Sequence, residues 1–490
     1  MNKRQKYLVI AFLIAVSLLF ILPPIVYQYE FPTTGDDTYD HLEQMDRIES
    51  YYQQHQGEMQ EVKTRYAGEN FTWLLWKIAS GMTGIGLDDF FVWFNWLALV
   101  VIALSLFWFG YRLFNWQAGV CIVMLAMFSA RAMSDYFYNG TIYNIINFYV
   151  FILQGVLCLC LWQREKRRFW MWVSLLLFCI AGIYHSSSGM IMIAGIGVYL
   201  GSSFLWYCWK RDKGNIVRVI KYGLLFGVIV IVPALILNME IRGLFQGVFH
   251  VGTPIATPGT LRFSPDNPIG FLQWMFKCCS PWVIPLMVLF GWILWQKKAK
   301  ADWKVFGVIG GFVAVLAVGA FFPIWYDHPR FALDLGIVVA ITGGCVAGLA
   351  IKARGNRIFA LIIGIVILGS SMPTLWQYGH YSSTYTPADR ACVEMLNSLE
   401  GSTWESSTQV QEGIYKRFVE GKGYVVEGGE YAIWRSEPMT QRTNPDNYWF
   451  NAVRAWRNES MAQDYAGMTE LGHWSYKGIE VILLDTRSSQ

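Results

Sequence analysis

The chain has 490 residues, of which 54% are hydrophobic, 17% aromatic and only 15% charged, and its mean hydropathy is +0.33. This composition excludes the disordered, collagen-like and ordinary cytosolic classes and indicates a membrane protein. The net charge of +4 is small, and the 39 basic residues fall in short clusters between apolar runs. A nucleic-acid-binding protein would gather them into one stripe, so nucleic acid is excluded as a partner.

Eleven apolar runs in the sequence have about the length of a membrane span. A hydrocarbon core about 30 Å thick requires roughly 20 apolar residues per helix. The runs lie at 7–27, 89–113, 116–133, 141–162, 169–185, 189–209, 216–237, 281–296, 303–325, 331–351 and 357–377. The first run has basic residues before it, as a signal peptide does, but no small-residue cleavage site after it, so we interpret it as an uncleaved anchor. The sequence therefore predicts an all-α polytopic membrane domain over residues 1–377, with long external loops at 28–88 and 238–280.

The distribution of charge between alternate loops predicts the orientation of these spans. With the N-terminus in the cytoplasm, the cytoplasmic loops carry 20 basic residues against three acidic ones, as the positive-inside rule requires. The first opposite loop, from Glu30 to Asp89, holds twelve acidic residues against four basic ones. We therefore expect a multi-pass protein of the plasma (cell) membrane with residues 378–490 on the extracytoplasmic side.

The segment 378–490 is more polar than the rest and contains no further spanning run. Thr386 and Pro387 open a helical stretch that reaches Leu399, with proline at the first helical position. The segments that begin at Gly423 and Ile479 alternate or run apolar in the manner of strands. This pattern predicts a small extracytoplasmic α/β domain.

Acidic residues crowd the segment that follows the first span. In a helix that begins near Thr34, Asp37 and His41 share one face, and Asp36 and Asp40 share the next. Two interpretations are open. The acids cap a helix whose dipole favours them, or their crowding against the hydrocarbon boundary raises a pKa towards that of a general base.

Two further features of the same loop are local in sequence. Glu43 and Arg47 are spaced to pair on one helical face. The segment 71–82 places its apolar side chains on one face with Trp73, Trp76 and Lys77 nearby. That pattern is typical of a helix that lies in the membrane interface.

Three more candidate sites lie on the predicted outer side. The turn at 135–144 is rich in tyrosine and asparagine and is suited either to contact a sugar or to form an aromatic belt. His185, at the outer end of the fifth span, is either a structural residue or a group whose charge matters near neutral pH. Arg330 precedes Asp334, an acid inside an apolar run. Arg330 can pair with that acid, donate to a phosphate or anchor the helix end.

The predicted sidedness restricts the chemistry of a transferase. Nucleotide sugars and ATP are cytosolic, whereas every candidate acid lies outside, so an external transferase needs another donor. A sugar carried on polyprenyl phosphate meets this requirement. Its leaving phosphate needs charge stabilisation by arginine or histidine more than it needs a general acid. One carboxylate then suffices to take the proton of the acceptor hydroxyl.

The order and sidedness of several motifs resemble the GT-C superfamily of polytopic membrane glycosyltransferases. The segment 35–41, Gly-Asp-Asp-Thr-Tyr-Asp-His, is similar to an acidic stretch that these proteins carry after the first span. The segments 138–144 and 184–189, and the pair at 330–331, resemble later external elements of the family. The resemblance covers most of the chain and implies a GT-C-like membrane domain.

This resemblance implies Asp37 as the catalytic carboxylate and places Arg330 near the lipid phosphate. We add His185, His41 and Asp36 as candidate substrate-binding or phosphate-binding residues. Oligosaccharyltransferase catalytic subunits carry a Trp-Trp-Asp motif in the outer domain, and this chain has none. We therefore expect a lipid or glycan acceptor, with a polyprenyl-phosphate-linked sugar as donor and membrane lipids as surroundings.

Metal dependence stays open at this point. Asp36, Asp37 and Asp40 offer oxygen ligands of the kind that Mg²⁺ or Mn²⁺ takes, although one loop rarely completes the coordination shell. Two other classes of function are also open. They are a transporter or flippase of a lipid-linked glycan, for which the sequence shows no inverted repeat, and a non-catalytic envelope assembly protein.

Overall fold

The structure is a computed structural model of the whole chain. It describes residues 2–26, 36–54, 67–130, 133, 142–237, 283–296, 303–321, 328–355, 357–379, 385–406, 415–416, 418–425, 428–435, 468–476 and 479–487.

In the part of the chain that the structure describes, each of the eleven apolar runs contains a helix, as predicted. Short polar turns separate several of them, and three contain a π-helical segment. In chain order the helices are α1 (Lys3–Val26), α4 (Leu87–Leu113), α5 (Trp116–Val123, continued by the π-helix Met124–Ser129), α6 (Ile142–Ile146, continued by the π-helix Asn147–Ile152 and α7, Leu153–Glu165), α8 (Arg168–Tyr184), α9 (Ser186–Trp209), α10 (Lys213–Phe226, continued by the π-helix Gly227–Ile231 and α11, Val232–Leu237), α12 (Val283–Gln296), α13 (Trp303–Phe321), α14 (His328–Arg354) and α15 (Arg357–Gly379). Within the described part of the chain, six spans are long and apolar enough to cross a membrane and five are shorter apolar helices. The protein is a multi-pass membrane protein.

Two amphipathic helices lie between α1 and α4; they are α2 (Asp36–Gln54) and α3 (Ala67–Thr83). Leu42, Met45 and Ile48 recur at intervals of three residues on α2, and all three are buried. The apolar residues of α3 form an exposed face, as the sequence predicted for an interfacial helix; they are Phe71, Leu74, Ile78 and Met82. Gly84 ends α3 in the left-handed conformation (φ 72°), and its amide donates to Ser80.

The bundle core depends on close contact between α14 and α5. Gly344 and Gly348 are four residues apart on α14 and face α5. A Cβ atom at Gly344 would lie 2.6 Å from the backbone of Ile122, and one at Gly348 would lie 2.2 Å from the backbone of Ala118. Small residues at this spacing allow two membrane helices to approach closely, so that van der Waals packing can hold them together.

Buried hydroxyl groups join further helices. The Oγ of Ser129, at the end of the π-helix after α5, lies 2.8 Å from the Oγ atoms of both Ser370 and Ser371 on α15. Ser105 on α4 donates to the backbone carbonyl of Tyr149 and accepts a hydrogen bond from Gln154. Hydrogen bonds of this kind hold membrane helices together in the absence of a hydrophobic driving force between them.

The last part of the chain contains a helix and a five-stranded mixed sheet, the small α/β unit that the sequence predicted. The elements are α16 (Pro387–Ser398), β1 (Thr403–Ser406), β2 (Gly423–Tyr424), β3 (Tyr431–Arg435), β4 (Thr469–Tyr476) and β5 (Ile479–Asp485). The strand order is β2-β1-β3-β5-β4, with β1 parallel to β2 and β3, and β5 antiparallel to β3 and β4. A separate apolar core, which includes Leu396, Trp404 and Ile433, lies between α16 and the sheet.

Asp389 is the polar centre of this unit. It closes a capping box with Thr386 at the start of α16. Its carboxylate also accepts a hydrogen bond from the Tyr415 hydroxyl at 2.7 Å and lies 3.0 Å from Nε of Arg435 on β3. Burial raises the pKa of Tyr415, so its hydroxyl keeps the proton that it donates. The sequence predicted the helix start but not the ion pair with β3.

Candidate functional site

The acidic residues singled out in the sequence occupy the start of α2. The helix begins at Asp36, immediately followed by Asp37, and Asp40 lies in the next turn. An α-helix brings residues four apart onto one face, so Asp37 shares a face with His41. The side chains of the three aspartates lie outside the described part of the structure.

His41 is buried against α3, where it meets an acid that the sequence analysis did not single out. Its Nδ1 lies 2.9 Å from Oε1 of Glu69, and both side chains are almost inaccessible to solvent. Glu69 stands in the first turn of α3, where the helix dipole favours a negative charge. An acid at the start of an otherwise apolar helix is the sequence signal that would have identified it.

Two tyrosines from the bundle close the space beside this pair. The ring of Tyr143 on α6 meets the imidazole of His41 edge to face at 4.3 Å, and it meets Tyr184 at 5.8 Å. Gly68 permits the contact, because a Cβ atom there would lie 3.0 Å from Tyr143 and 3.1 Å from Tyr184. The start of α3 therefore rests on the ends of α6 and α8.

His185 follows Tyr184 directly and occupies the position before the first residue of α9. It is buried, and its Nδ1 lies 3.0 Å from the Oγ of Ser188. The side-chain amide of Asn147 donates to the carbonyl of Ala181 and to the same Ser188 hydroxyl, both at 2.9 Å. The sequence placed His185 at the outer end of a span, and the structure embeds it in a buried polar network beside the tyrosine pair.

Arg330 and Asp334 lie one turn apart near the start of α14. Asp334 is 1% exposed, inside the apolar part of the helix. An acid at such a position is costly in a membrane bundle. The side chain of Arg330 lies outside the described residues, as do the turn at 134–141 and the loop at 238–280, so the pairing considered from the sequence stays a prediction.

The structure describes only some of the side chains that could bind a metal ion. Among the residues that the structure describes, no group of three or more histidine, cysteine, aspartate or glutamate side chains is arranged to hold a metal ion. The aspartates at the start of α2 are not among the side chains covered by that statement. Their carboxylates have the donor chemistry that Mg²⁺ and Mn²⁺ prefer.

No protein-family model matches the sequence, and no curated protein matches it. Solved structures match its fold at low sequence identity. The oligosaccharyltransferase AglB of Archaeoglobus fulgidus, in complex with an inhibitory peptide and a dolichol-phosphate, has a TM-score of 0.56 at 10% identity, over 98% of this chain and 74% of its own. An oligosaccharyltransferase of Archaeoglobus fulgidus in complex with zinc and sulfate has a TM-score of 0.57 at 11% identity, over 97% of this chain and 72% of its own.

A second protein matches over nearly the full length of both chains. ArnT of Cupriavidus metallidurans in the apo state has a TM-score of 0.55 at 13% identity, over 98% of this chain and 97% of its own. Its complex with undecaprenyl phosphate has a TM-score of 0.50 at 11% identity, over 99% and 98%. Both neighbours are GT-C membrane glycosyltransferases. The chain therefore has the GT-C fold.

Proposed function

We propose that this protein is an integral-membrane glycosyltransferase that transfers a sugar from a polyprenyl-phosphate-linked donor to a lipid or glycan acceptor on the extracytoplasmic face. One observation carries the proposal: in a GT-C fold, the acidic start of α2 is docked by His41 and Glu69 onto the ends of the bundle helices. A helix that begins with several acidic residues, and whose His41 is buried against Glu69 and Tyr143, is suited to acid–base chemistry on a membrane-bound substrate.

The donor class is supported by the ligands of the two neighbours. AglB was solved with a dolichol-phosphate and ArnT with undecaprenyl phosphate, which share a polyprenyl chain and a phosphate head group. A further structure of an Archaeoglobus fulgidus oligosaccharyltransferase holds a tethered acceptor peptide with a sequon. Because this chain has no Trp-Trp-Asp motif, we propose a lipid or glycan acceptor instead of a protein.

In the proposed reaction, Asp37 acts as the general base. It accepts the proton of the acceptor hydroxyl while the hydroxyl oxygen forms a bond to the anomeric carbon. The bond between that carbon and the phosphate oxygen breaks, and the polyprenyl phosphate leaves with the electron pair. Arg330 and His185 stabilise the charge on the leaving phosphate, Asp36 contacts the substrate, and the buried His41 holds α2 in place. A general base contributes about 10²–10⁴-fold to such a step.

A divalent cation is compatible with this mechanism. Asp36, Asp37 and Asp40 would supply its carboxylate ligands, and Mg²⁺ or Mn²⁺ would neutralise charge on the phosphate. Removal of divalent cations by a chelator, followed by their return one at a time, tests the requirement. Full turnover in the presence of the chelator would exclude a role in metal binding for the three aspartates. Their proposed roles would then be acid–base catalysis and substrate binding.

The proposal also fixes the orientation and the domain division. It requires the N-terminus in the cytoplasm and loop 28–88 outside, with a membrane domain over residues 1–377 and an extracytoplasmic domain over 378–490. Reporter fusions after residues 60 and 380 should both show extracytoplasmic activity. A cytoplasmic position of loop 28–88 would contradict the proposed function, since the site would then face nucleotide-sugar pools.

The decisive experiment is transfer by the purified protein in liposomes that contain a radiolabelled polyprenyl-phosphate sugar and an extract of envelope lipids and glycans, without nucleotide. We expect label to move from carrier to acceptor, and Asp37→Asn to lower the turnover by about 100-fold or more. Glu43→Gln, on an exposed position of the same helix, is the matched control and should keep full turnover.

Two outcomes would contradict the proposal. Movement of the labelled lipid between leaflets without any change in the carrier–sugar bond would indicate a flippase. Absence of both transfer and translocation in correctly inserted protein would favour a non-catalytic assembly role. Equal turnover of Asp37→Asn and the unmodified protein would remove Asp37 from the mechanism while leaving transfer intact.

A further inference from the structure

Two of the polar contacts between α2 and α3 have the same spacing on both helices. The first is the buried hydrogen bond between His41 and Glu69. The second is the ion pair between Glu49 and Lys77, whose Oε1 and Nζ atoms are 2.6 Å apart. Each partner of the second contact lies eight residues after its counterpart in the first. The two helices therefore run side by side in the same direction, with contacts about 12 Å apart along their axes.

The second contact is reinforced from both helices. Glu49 also accepts hydrogen bonds from Nε1 of Trp73 at 3.0 Å and from the side-chain amide of Gln53 at 2.8 Å. Tyr52 packs on the ring of Trp73, with the centroids 5.3 Å apart. Burial raises the pKa of Glu49, but the hydrogen bonds from Lys77, Trp73 and Gln53 outweigh that effect and lower it overall. At neutral pH the carboxylate is therefore charged and accepts hydrogen bonds from all three of these side chains.

The two contacts have opposite polarity, which selects one alignment of the helices. In the first contact the acid stands on α3, and in the second it stands on α2. If α2 slips by one turn, about 5.4 Å, the residue opposite Glu69 becomes either Asp37 or Met45. The first alternative opposes two carboxylates, and the second leaves a buried acid without its imidazole partner. A buried polar group that loses its hydrogen-bond partner costs about 1–3 kcal/mol, so both alternatives are disfavoured.

This alignment determines where the acidic start of α2 stands. Asp37 lies four residues before His41 on the same helical face, about 6 Å along the axis. His41 is in turn fixed between Glu69 and the ring of Tyr143. A slip by one turn would carry Asp37 across that whole distance, whereas a misplacement of only 1 Å can cost about 100-fold in rate.

We propose that the pairs His41–Glu69 and Glu49–Lys77 form a register clamp, whose members are positioning residues that hold Asp37 in place for proton transfer. The inference rests on the proposed function for the identity of Asp37 as base. The clamp itself is a statement about α2 and α3, so it can also be measured without activity.

The test uses the half of the clamp that lies furthest from Asp37. Lys77→Glu opposes two carboxylates, and Glu49→Lys with Lys77→Glu restores the pair with its polarity reversed. Arg47→Glu is the matched control. It also opposes two carboxylates, at a contact with Glu43 that is exposed and lies within α2. Exposed pairs of this kind contribute little to stability.

We expect Lys77→Glu to lower kcat at least tenfold while KM for the polyprenyl donor changes less than threefold, because the proposed phosphate contacts come from Arg330 and His185. The reversed double variant should regain at least half of that loss on a logarithmic scale. Arg47→Glu should keep kcat within twofold. Hydrogen exchange of the amides in 36–54 should accelerate in Lys77→Glu, return towards the unmodified rate in the double variant and stay unchanged in Arg47→Glu.

The outcomes separate the clamp from the proposed function. If Asp37→Asn abolishes transfer but Lys77→Glu keeps full kcat, the clamp is wrong and the function stands. Faster exchange in α2 with unchanged kcat also overturns the positioning role. If the unmodified protein transfers no sugar, the proposed function fails, and the exchange rates alone decide whether the clamp exists. Lys77→Ala, which removes the pair without repulsion, should lie between the unmodified protein and Lys77→Glu in both measurements.

Discussion

Removal of Arg435 should destabilise the C-terminal α/β unit while the stability of the membrane helices stays unchanged. Arg435 on β3 and Asp389 on α16 form an ion pair whose side chains are 1% and 0% exposed. Arg435→Met keeps much of the apolar stem but leaves the carboxylate without its cation. Breaking a buried pair from one side costs about 3–5 kcal/mol.

The low end of that range applies here, because the carboxylate keeps three hydrogen bonds. Tyr415 donates one, and the amide and hydroxyl of Thr386 donate the others, each at 2.7 Å. A loss of about 3 kcal/mol corresponds to roughly a 150-fold fall in an equilibrium constant. Domains are typically stable by only about 5–15 kcal/mol, so this is a large fraction of the total.

The assay is hydrogen exchange of the purified full-length protein. Amides of β3 and α16 should lose roughly 150-fold in protection, while those of α14 should not change. Asp389→Asn combined with Arg435→Met removes both charges and should recover part of the loss. Arg390→Ala, which removes an exposed pair with Glu394 on the same helix, is the control and should cost about 0.5 kcal/mol or less. Protection in β3 that stays within threefold of the unmodified protein in Arg435→Met would refute this reasoning.

Three further predictions follow from the bundle, from α2 and from the proposed phosphate site. Gly348→Leu should lower the apparent melting temperature in detergent by several degrees, because a Cβ atom there would lie 2.2 Å from Ala118 and overpacking costs about 3 kcal/mol. Gly364→Leu, where a Cβ atom would have no neighbour within 4 Å, should leave the melting temperature unchanged. The hydrogen bonds of Glu49 lower its pKa, so its contribution to the protection of α2 is present above the pKa of the unfolded chain and is lost as the pH falls through the lower folded value. Hydrogen-exchange rates measured from pH 3 to 8 should show a loss of protection only below about pH 4. Glu49→Gln should remove that pH dependence. Undecaprenyl phosphate at about 100 times its Kd should stabilise the folded protein by about 2.7 kcal/mol and so raise its melting temperature. Arg330→Gln should reduce this increase. An equal increase in both proteins would remove Arg330 from the phosphate site.

Local patterns in the sequence determined the elements. Eleven apolar runs became helices because the length and composition of a run decide whether it can span a bilayer. The start of α16 was predictable because Thr386, Pro387 and Asp389 cap it from within four residues. The pair between Glu43 and Arg47 was confirmed for the same reason, since both stand on one face of one helix.

Tertiary structure alone decided which distant residues meet. Glu69 comes to His41 across 28 positions, and Arg435 comes to Asp389 across 46. A helical period states which face a side chain occupies, but it does not state which other helix covers that face. Helix packing decides which residue becomes the partner of a buried charge, and a wrong partner lowers the stability of the packed state. The sequence therefore located the acidic start of α2, whereas the packing of α2 against α3 and the bundle became visible only in the fold.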